Sequence, residues 1–185
     1  DPRKFYIDQH YAGYTEENQE VWQTLYDGQM DFLRDRASDV YLNGARAINL
    51  VRDHIPHLQG EHSINRFLKD LTGWESCAVP GYLPAKAFFA CLSRREFPTT
   101  VVIRSKQAIE YLPEPDIFHD VFGHVPLHAD PTFADFLQTY GKAALTATDE
   151  EDMTRLARLF WFTVEFGLIR ENGELKLYGS GLISS

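Results

Sequence analysis

The chain has little cysteine and no long apolar run. Cys77 and Cys91 are the only cysteines among 185 residues. Two thiols without an apolar secretory segment at the N-terminus predict reduced residues in a cytoplasmic protein and argue against a disulfide framework. The longest apolar stretches fall short of the roughly 18 residues that a membrane helix needs. A membrane protein is therefore not expected.

Clusters of basic residues and domain linkers are also missing. The 18 Lys and Arg residues are outnumbered by 27 Asp and Glu, the formal net charge is -9, and Arg94-Arg95 is the largest basic cluster. Nucleic-acid-binding proteins concentrate Lys and Arg on one face, so nucleic acid is excluded as a partner. With no repeat or Pro/Gly-rich linker, residues 1–185 are predicted to form one domain. Because the chain starts without Met and stops directly after a strand-like run, we expect it to be part of a longer protein.

Apolar periodicity and capping residues predict a mainly α fold with a few short strands. Thr15 marks the start of a first helix, and Ser63 and Gly73 mark the two ends of a short third helix. The β-branched run 99–104 predicts a strand. The predicted helices cover about 15–35, 42–51, 64–71, 84–92, 116–123, 132–147 and 150–170, with an arm on the surface over 1–14, a loop over 78–83 and a last strand or hairpin arm near 175–178.

Two histidines stand five residues apart in the segment Pro-Glu-Pro-Asp-Ile-Phe-His119-Asp-Val-Phe-Gly-His124-Val-Pro. On a regular α-helix, five residues turn the chain through about 500°, which leaves the two side chains roughly 140° apart. Gly123 weakens the helix, and Pro126 disfavours helical geometry at the residue before it. We therefore expect the helix to end near His124, so that its ring turns back toward His119. For either histidine alone, a satisfied polar residue is the commoner role.

A carboxylate interrupts the apolar run Leu-Phe-Trp-Phe-Thr-Val-Glu165-Phe-Gly-Leu-Ile. Burying an unpaired carboxylate is very costly, so Glu165 must be paired, protonated or bound to a metal. Arg104 is a possible partner from elsewhere in the chain. A cation shared with His119 and His124 satisfies Glu165 best, and the three residues are predicted to form a metal site.

Two imidazoles and one carboxylate form the facial triad of non-haem Fe(II) oxygenases, which leaves positions open for oxygen and substrate. Zinc accepts the same ligands with one water, so the ligand types leave a zinc hydrolase open. Such an enzyme also needs a general base, and Asp120 and Glu114 are the nearby acidic residues. A third alternative is a non-catalytic helical binding module with a closed structural metal site, for which His128 is the nearest fourth ligand.

The two motifs resemble those of the pterin-dependent aromatic amino acid hydroxylases, with the closest likeness to the bacterial phenylalanine hydroxylases. The resemblance runs from about Tyr14 to Ser185 and includes the segment Tyr178-Gly-Ser-Gly-Leu-Ile-Ser-Ser185. It implies the catalytic-domain fold of that family, mainly α-helical. It also implies a monooxygenase that converts L-phenylalanine to L-tyrosine with Fe(II), tetrahydrobiopterin or a related tetrahydropterin, and O₂. Tyrosine is the alternative substrate within the family.

The resemblance also assigns roles to individual residues. The iron ligands it implies are His119, His124 and Glu165. The implied pterin site contains Gly81, Leu83, Phe88 as the stacking ring, and Asp120, where the family has Glu. The implied substrate site contains Arg104, which would bind the carboxylate, with Leu112, Pro115, Trp161 and Ser184. Trp161 argues against the tryptophan hydroxylases, which carry Phe there. Neither a regulatory domain nor the oligomerisation helix of the animal enzymes is expected, so we predict a monomer.

Overall fold

The computed structural model describes residues 1–110 and 113–185, and it confirms a mainly helical fold with short strands. Within these residues, no helix combines the length and the apolarity that crossing a bilayer requires. The α-helices are α1 (Glu16–Leu33), α2 (Asp39–Ala47), α3 (Ile64–Leu71), α4 (Ala85–Ser93), α5 (Pro131–Ala144), α6 (Glu150–Phe160) and α7 (Ser180–Ile183). The strands are β1 (Glu75–Val79), β2 (Glu96–Thr100), β3 (Leu168–Glu171) and β4 (Glu174–Leu177). Two π-helical segments cover Phe118–His124 and Trp161–Glu165, and 3₁₀ segments cover Pro2–Phe5, Tyr11–Gly13, Lys106–Ala108 and Val125–Ala129.

Helix starts follow the capping residues. The Thr15 hydroxyl accepts from the backbone N–H of Asn18, whose side chain accepts in return from the backbone N–H of Thr15. This capping box satisfies two N–H groups that the first turn leaves free. Asp130 caps α5 with a single hydrogen bond, which its carboxylate accepts from the backbone N–H of Phe133. Gly73 has φ 75°, as expected for the residue that ends a helix.

The sequence predicts only one of the first two strands, and the bounds predicted for it are wrong. The structure has β1 at Glu75–Val79, partly within the predicted loop, and β2 at Glu96–Thr100 instead of 99–104. The two strands pair in parallel, with Glu75 opposite Glu96, and α4 forms the connection that a parallel pair requires. Because β2 is buried along its whole length, its residues show none of the polar alternation that marks a half-exposed strand.

The predicted helix over 150–170 is too long. Helix α6 ends at Phe160, the π-helical segment follows, and β3 then pairs antiparallel with β4. Asn172 and Gly173 make the turn between the strands with φ 51° and 86°. Asn-Gly is the strongest short hairpin signal because both residues tolerate positive φ. Strand β4 confirms the predicted hairpin arm near 175–178. Its partner β3 was not predicted, because the apolar residues before the turn were assigned to the helix over 150–170.

The first π-helical segment is held by an aromatic core. Phe118 stacks on Phe122 with ring centroids 4.5 Å apart, and Trp22 of α1 meets Phe118 edge-on at 5.3 Å. The Tyr41 hydroxyl of α2 donates to the Phe122 carbonyl at 2.8 Å. All four rings are fully buried, and burial of each contributes roughly 1.5–3 kcal/mol. Helices α1 and α2 thereby fix the segment that carries His119 and His124.

Candidate metal centre

His119 and His124 lie on the π-helical segment Phe118–His124. A π-helix closes its hydrogen bonds between residues i and i+5, so residues five apart come close together. The two imidazole rings are 5.0 Å apart between centroids. The segment ends at His124, as expected, but the π-helical spacing, and not the helix end, brings the two rings together. Gly123 has another role, because a Cβ there would lie 3.0 Å from the carbonyl oxygen of Ser180.

Glu165 ends the second π-helical segment and faces both histidines. Its Oε1 lies 3.0 Å from Nε2 of His124, and its Oε2 lies 3.6 Å from Nε2 of His119. The three residues offer ligand atoms that lie within 4.8 Å of one another, and they are the one group of this kind in the described part of the chain. The structure thus brings together the three residues that the sequence singles out.

Arg104 is not the partner of Glu165. Its guanidinium forms a bidentate ion pair with Asp116, at 2.9 Å from Nε to Oδ2 and 3.0 Å from Nη2 to Oδ1. The Asp116 carboxylate is fully buried and also accepts from the backbone N–H of His119 at 3.0 Å. The sequence reasoning missed Asp116, whose only signal is its position three residues before His119. Asp116 connects Arg104 to the start of the π-helical segment.

The protonation of Glu165 and His119 suits metal binding. Burial alone would raise the pKa of Glu165, but His124, His119 and the Ser180 hydroxyl outweigh it and lower this pKa to about 2. Burial and the neighbouring His124 lower the pKa of His119 to about 4. Near neutral pH, Glu165 is therefore a carboxylate and His119 a neutral imidazole, which is the form that can bind a metal.

A serine selects the tautomer of His119. The Ser184 hydroxyl donates to the Ser180 carbonyl at 2.8 Å, and its oxygen lies 2.8 Å from Nδ1 of His119. Because the hydroxyl proton is committed to Ser180, the oxygen accepts from Nδ1–H. The lone pair of His119 is then on Nε2, the atom that faces Glu165. Metal-binding histidines commonly donate their other ring N–H to a partner that fixes the orientation of the ring.

The donor set fits a divalent metal of the Fe(II) or Zn(II) class, which accept neutral imidazoles and a carboxylate. These ligands also line a pocket with all four residues predicted to bind pterin. The lining includes Gly81, Leu83, Phe88, Asp120 and Pro115, together with Phe97, Phe160 and the exposed ring of Tyr82. Phe97, Phe160 and Tyr82 were missed by the sequence reasoning, because isolated aromatic residues look like ordinary core positions.

Asp120 is held firmly in this pocket. Its Oδ2 accepts from both the backbone N–H and the hydroxyl of Thr100, each at 2.7 Å. Burial raises the pKa of Asp120 to about 6, although His124 and the two hydrogen bonds act in the opposite direction. Asp120 therefore presents a fixed carboxyl group beside the metal ligands.

The residues predicted to bind substrate are divided between several places. Pro115 lines the pocket, whereas Arg104 and Ser184 are not in its lining and contact Asp116 and His119, respectively. Trp161 is 56 % exposed, packs against Phe166 with ring centroids 4.6 Å apart, and is not part of the pocket lining. Leu112 lies outside the described residues. The substrate roles of all five residues stay predictions.

His128 does not join the metal group. Its Nδ1 lies 2.9 Å from the His124 carbonyl oxygen, which fixes Nδ1 as the donor. The ring is buried among Trp74, Phe97 and Phe133. Nε2 has no hydrogen-bond partner among the described residues. The closed four-ligand site expected for a structural metal is therefore not formed through His128.

His128 should make the protein sensitive to acid. Burial, with His124, lowers the pKa of His128 to about 3, whereas an unfolded His titrates near 6.5. The buried neutral His128 contributes to the stability of the folded protein above about pH 6.5. This contribution is lost as pH falls toward 3, because His128 takes up a proton in the unfolded chain before it does so in the folded protein. Between pH 6 and 4, we expect the free energy of unfolding to fall by roughly 2–3 kcal/mol more in the parent protein than in His128→Phe. Urea denaturation at both pH values tests this, and equal losses would contradict it.

Comparison with known proteins gives the wider context of this site. The profile of the biopterin-dependent aromatic amino acid hydroxylases matches residues 8–185. A phenylalanine-4-hydroxylase from Caulobacter vibrioides is 47% identical over 179 residues, which cover 97% of this chain and 60% of that protein.

Two crystal structures of phenylalanine hydroxylase from Chromobacterium violaceum cover the whole of this chain, which spans 66% of theirs. One, with bound iron(III) and 7,8-dihydrobiopterin, has a TM-score of 0.95 and 41% identity. The other, with iron and phenylalanine, has a TM-score of 0.91 and 40% identity. The chain spans less than two thirds of these relatives. The profile match and these identities show that the chain belongs to the biopterin-dependent aromatic amino acid hydroxylase family.

Proposed function

We propose that this chain carries the catalytic site of a monooxygenase that converts L-phenylalanine to L-tyrosine with Fe(II), a tetrahydropterin and O₂. The observation that carries the proposal is the convergence of His119, His124 and Glu165 in the wall of an aromatic pocket. When bound, Fe(II) and the reduced pterin together supply the electrons that activate O₂. The relatives from Chromobacterium violaceum, with bound iron, dihydrobiopterin and phenylalanine, support these assignments.

The chain's own residues would bind the metal and shield it. Nε2 of His119, Nε2 of His124 and the Glu165 carboxylate would hold Fe(II). Ser184 keeps the proton of His119 on Nδ1, and Asp116 fixes the backbone of His119. These hydrogen bonds orient the ligands before the metal arrives, which reduces the free-energy cost of assembling the site.

The pterin would bind in the pocket beside the metal ligands. An added Cβ at Gly81 would meet no protein atom within 4 Å, so the space next to this backbone is open to a flat ligand. Phe88 meets Phe160 edge-on with centroids 5.4 Å apart, and we propose that its ring stacks on the pterin. Leu83 and the fixed Asp120 carboxyl complete this part of the site.

Turnover with a defined metal tests the proposal and its alternatives. The chain is loaded anaerobically with Fe(II) and mixed with tetrahydropterin, phenylalanine and O₂, and tyrosine is measured. We expect tyrosine with Fe(II), and none with Zn(II) or without pterin. Failure of a chain that binds both Fe(II) and pterin to form tyrosine would contradict the proposal. A dihydroxyphenylalanine product from added tyrosine, at a higher rate than tyrosine from phenylalanine, would favour the alternative substrate.

Arg104 should anchor the substrate carboxylate. Asp116 and the Ile109 carbonyl use three of its five N–H groups, which leaves two for a second carboxylate. We expect Arg104→Ala to weaken phenylalanine binding by roughly 2–5 kcal/mol and to affect pterin binding far less. The dissociation constants of both ligands are measured separately.

Arg104→Lys is the matched control, because it keeps the charge beside Asp116 but loses the planar fork. It should fold like the parent chain and still bind phenylalanine weakly. Equal weakening of phenylalanine and pterin in Arg104→Ala would show that Arg104 supports the whole site rather than the substrate.

We also propose that residues 1–185 act as a single catalytic domain, since one cluster of buried residues extends from Trp22 to Ile183. A monomeric state and a cytoplasmic location stay predictions. The free thiols of Cys77 and Cys91 are compatible with a reducing compartment. Sedimentation equilibrium tests the monomer directly.

A further inference from the structure

A serine hydroxyl lies between two of the three metal-binding side chains. Ser180, the first residue of α7, is fully buried. Its Oγ lies 2.8 Å from Oε2 of Glu165 and 2.9 Å from Nε2 of His124. A third acceptor, the Val164 carbonyl, is more distant at 3.3 Å. Ser180 lies within the segment Tyr178-Gly-Ser-Gly-Leu-Ile-Ser-Ser185, but the sequence alone gives it no role.

Three glycines allow Ser180 to approach the metal ligands. A Cβ at Gly179 would lie 2.5 Å from the Glu165 carbonyl oxygen, and one at Gly181 would lie 3.0 Å from the same atom. On the other side, a Cβ at Gly123 would lie 3.3 Å from Cβ of Ser180. Larger residues at these positions would push α7 away from the two π-helical segments. The small residues around α7 thus allow the Ser180 hydroxyl to contact the Glu165 carboxylate.

The direction of the Ser180 hydrogen bond follows from the proposed metal site. If Nε2 of His124 binds the metal, its lone pair cannot accept a proton from Ser180. The hydroxyl then donates to Oε2 of Glu165, the nearer of its two remaining acceptors. Oε1 of Glu165, which faces His124 at 3.0 Å, stays free for the metal.

We propose that Ser180 is a positioning residue that holds Oε2 of Glu165, so that the carboxylate binds the metal through Oε1 alone. This inference rests on the proposed metal centre. A carboxylate that binds through one oxygen uses one coordination position and, with two histidines, leaves three open in a six-coordinate site. Binding through both oxygens would occupy one more position and leave only two open. The Ser180 hydroxyl thereby keeps a third position free for exogenous ligands.

The binding mode of Glu165 in metal-loaded variants tests this role. Co(II) serves as the probe, and Ser180→Ala is compared with Ser184→Ala, which removes a buried hydroxyl at the end of the same helix that contacts His119 instead. Affinity is measured by chelator competition, and the number of Glu165 oxygens on Co(II) is read from crystal structures. We expect one oxygen in the parent protein and in Ser184→Ala, but two in Ser180→Ala. Co(II) affinity should be about 10-fold lower in both variants, because each loses a hydroxyl that orients a metal ligand, so the number of Glu165 oxygens separates them.

The outcomes separate this inference from the proposed function. If the parent protein binds no Co(II) at the three ligands, the metal centre itself is wrong. If it binds Co(II) there and Ser180→Ala keeps one Glu165 oxygen, only the role of Ser180 is wrong. Ser180→Thr, which keeps the hydroxyl, should restore binding through one oxygen. Failure of this restoration in a folded variant that binds Co(II) would also overturn the inference.

Discussion

Replacing Glu165 with Gln is expected to lower the affinity for Fe(II) by more than about 100-fold. Loss of a residue that only hydrogen-bonds to a metal ligand already lowers metal affinity about 10- to 100-fold, and Glu165 is a proposed ligand itself. The amide keeps the size of the side chain and can still accept from Ser180. It loses the negative charge that faces both histidines at 3.0 and 3.6 Å. Anaerobic titration calorimetry measures the affinity in the parent protein and in the variant.

The matched control for this change is Glu174→Gln. Glu174 is an exposed residue of β4 that pairs with Lys176 on the surface, so its removal should leave Fe(II) affinity unchanged. An equal and large loss in both variants would point to a general charge effect. Unchanged affinity in Glu165→Gln would show that Glu165 is not a ligand.

A methyl group added at Gly44 should destabilise the fold by about 3 kcal/mol or more, at the upper end of the range for overpacking. A Cβ at this position of α2 would lie closer to the Pro126 carbonyl oxygen than any non-bonded contact allows, at 1.9 Å. The obstacle is backbone, so no side chain can rotate away. Because Val125–Ala129 follows His124 directly, the displacement should also weaken metal binding.

Gly28→Ala provides the contrast within the same protein. Gly28 lies in α1, is exposed, and an added Cβ there would meet nothing within 4 Å. Ala in a helix interior is better than Gly by roughly 0.5–1 kcal/mol, so Gly28→Ala should stabilise the chain. Urea denaturation of both variants gives the two free energies of unfolding. Similar values for Gly44→Ala and the parent protein would mean that α2 does not press on Pro126.

The sequence alone predicts the elements whose signals are local. The Thr15 capping box begins α1, and Gly73 ends α3 with a positive φ, because these features depend on a few neighbouring residues. The identities of His119, His124 and Glu165 also came from local patterns. Two histidines in one motif and a lone charge in an apolar run can be recognised without knowing the fold.

Features that depend on tertiary packing were not predictable in the same way. The α-helical rule led to the wrong account of the spacing between His119 and His124, because aromatic packing of Phe118 and Phe122 supports a π-helical segment instead. The roles of Asp116 and Ser180 depend on partners 12 and 15 residues away along the chain. Sequence spacing alone does not indicate such contacts.

The central claim is that His119, His124 and Glu165 together hold one metal ion. Anomalous diffraction from crystals grown with Fe(II) under anaerobic conditions tests it most directly. We expect one strong anomalous peak about 2.0–2.2 Å from Nε2 of His119, Nε2 of His124 and Oε1 of Glu165, as for nitrogen and carboxylate ligands of similar divalent ions. A peak elsewhere, or a metal bound by the histidines with Glu165 turned away, would contradict it.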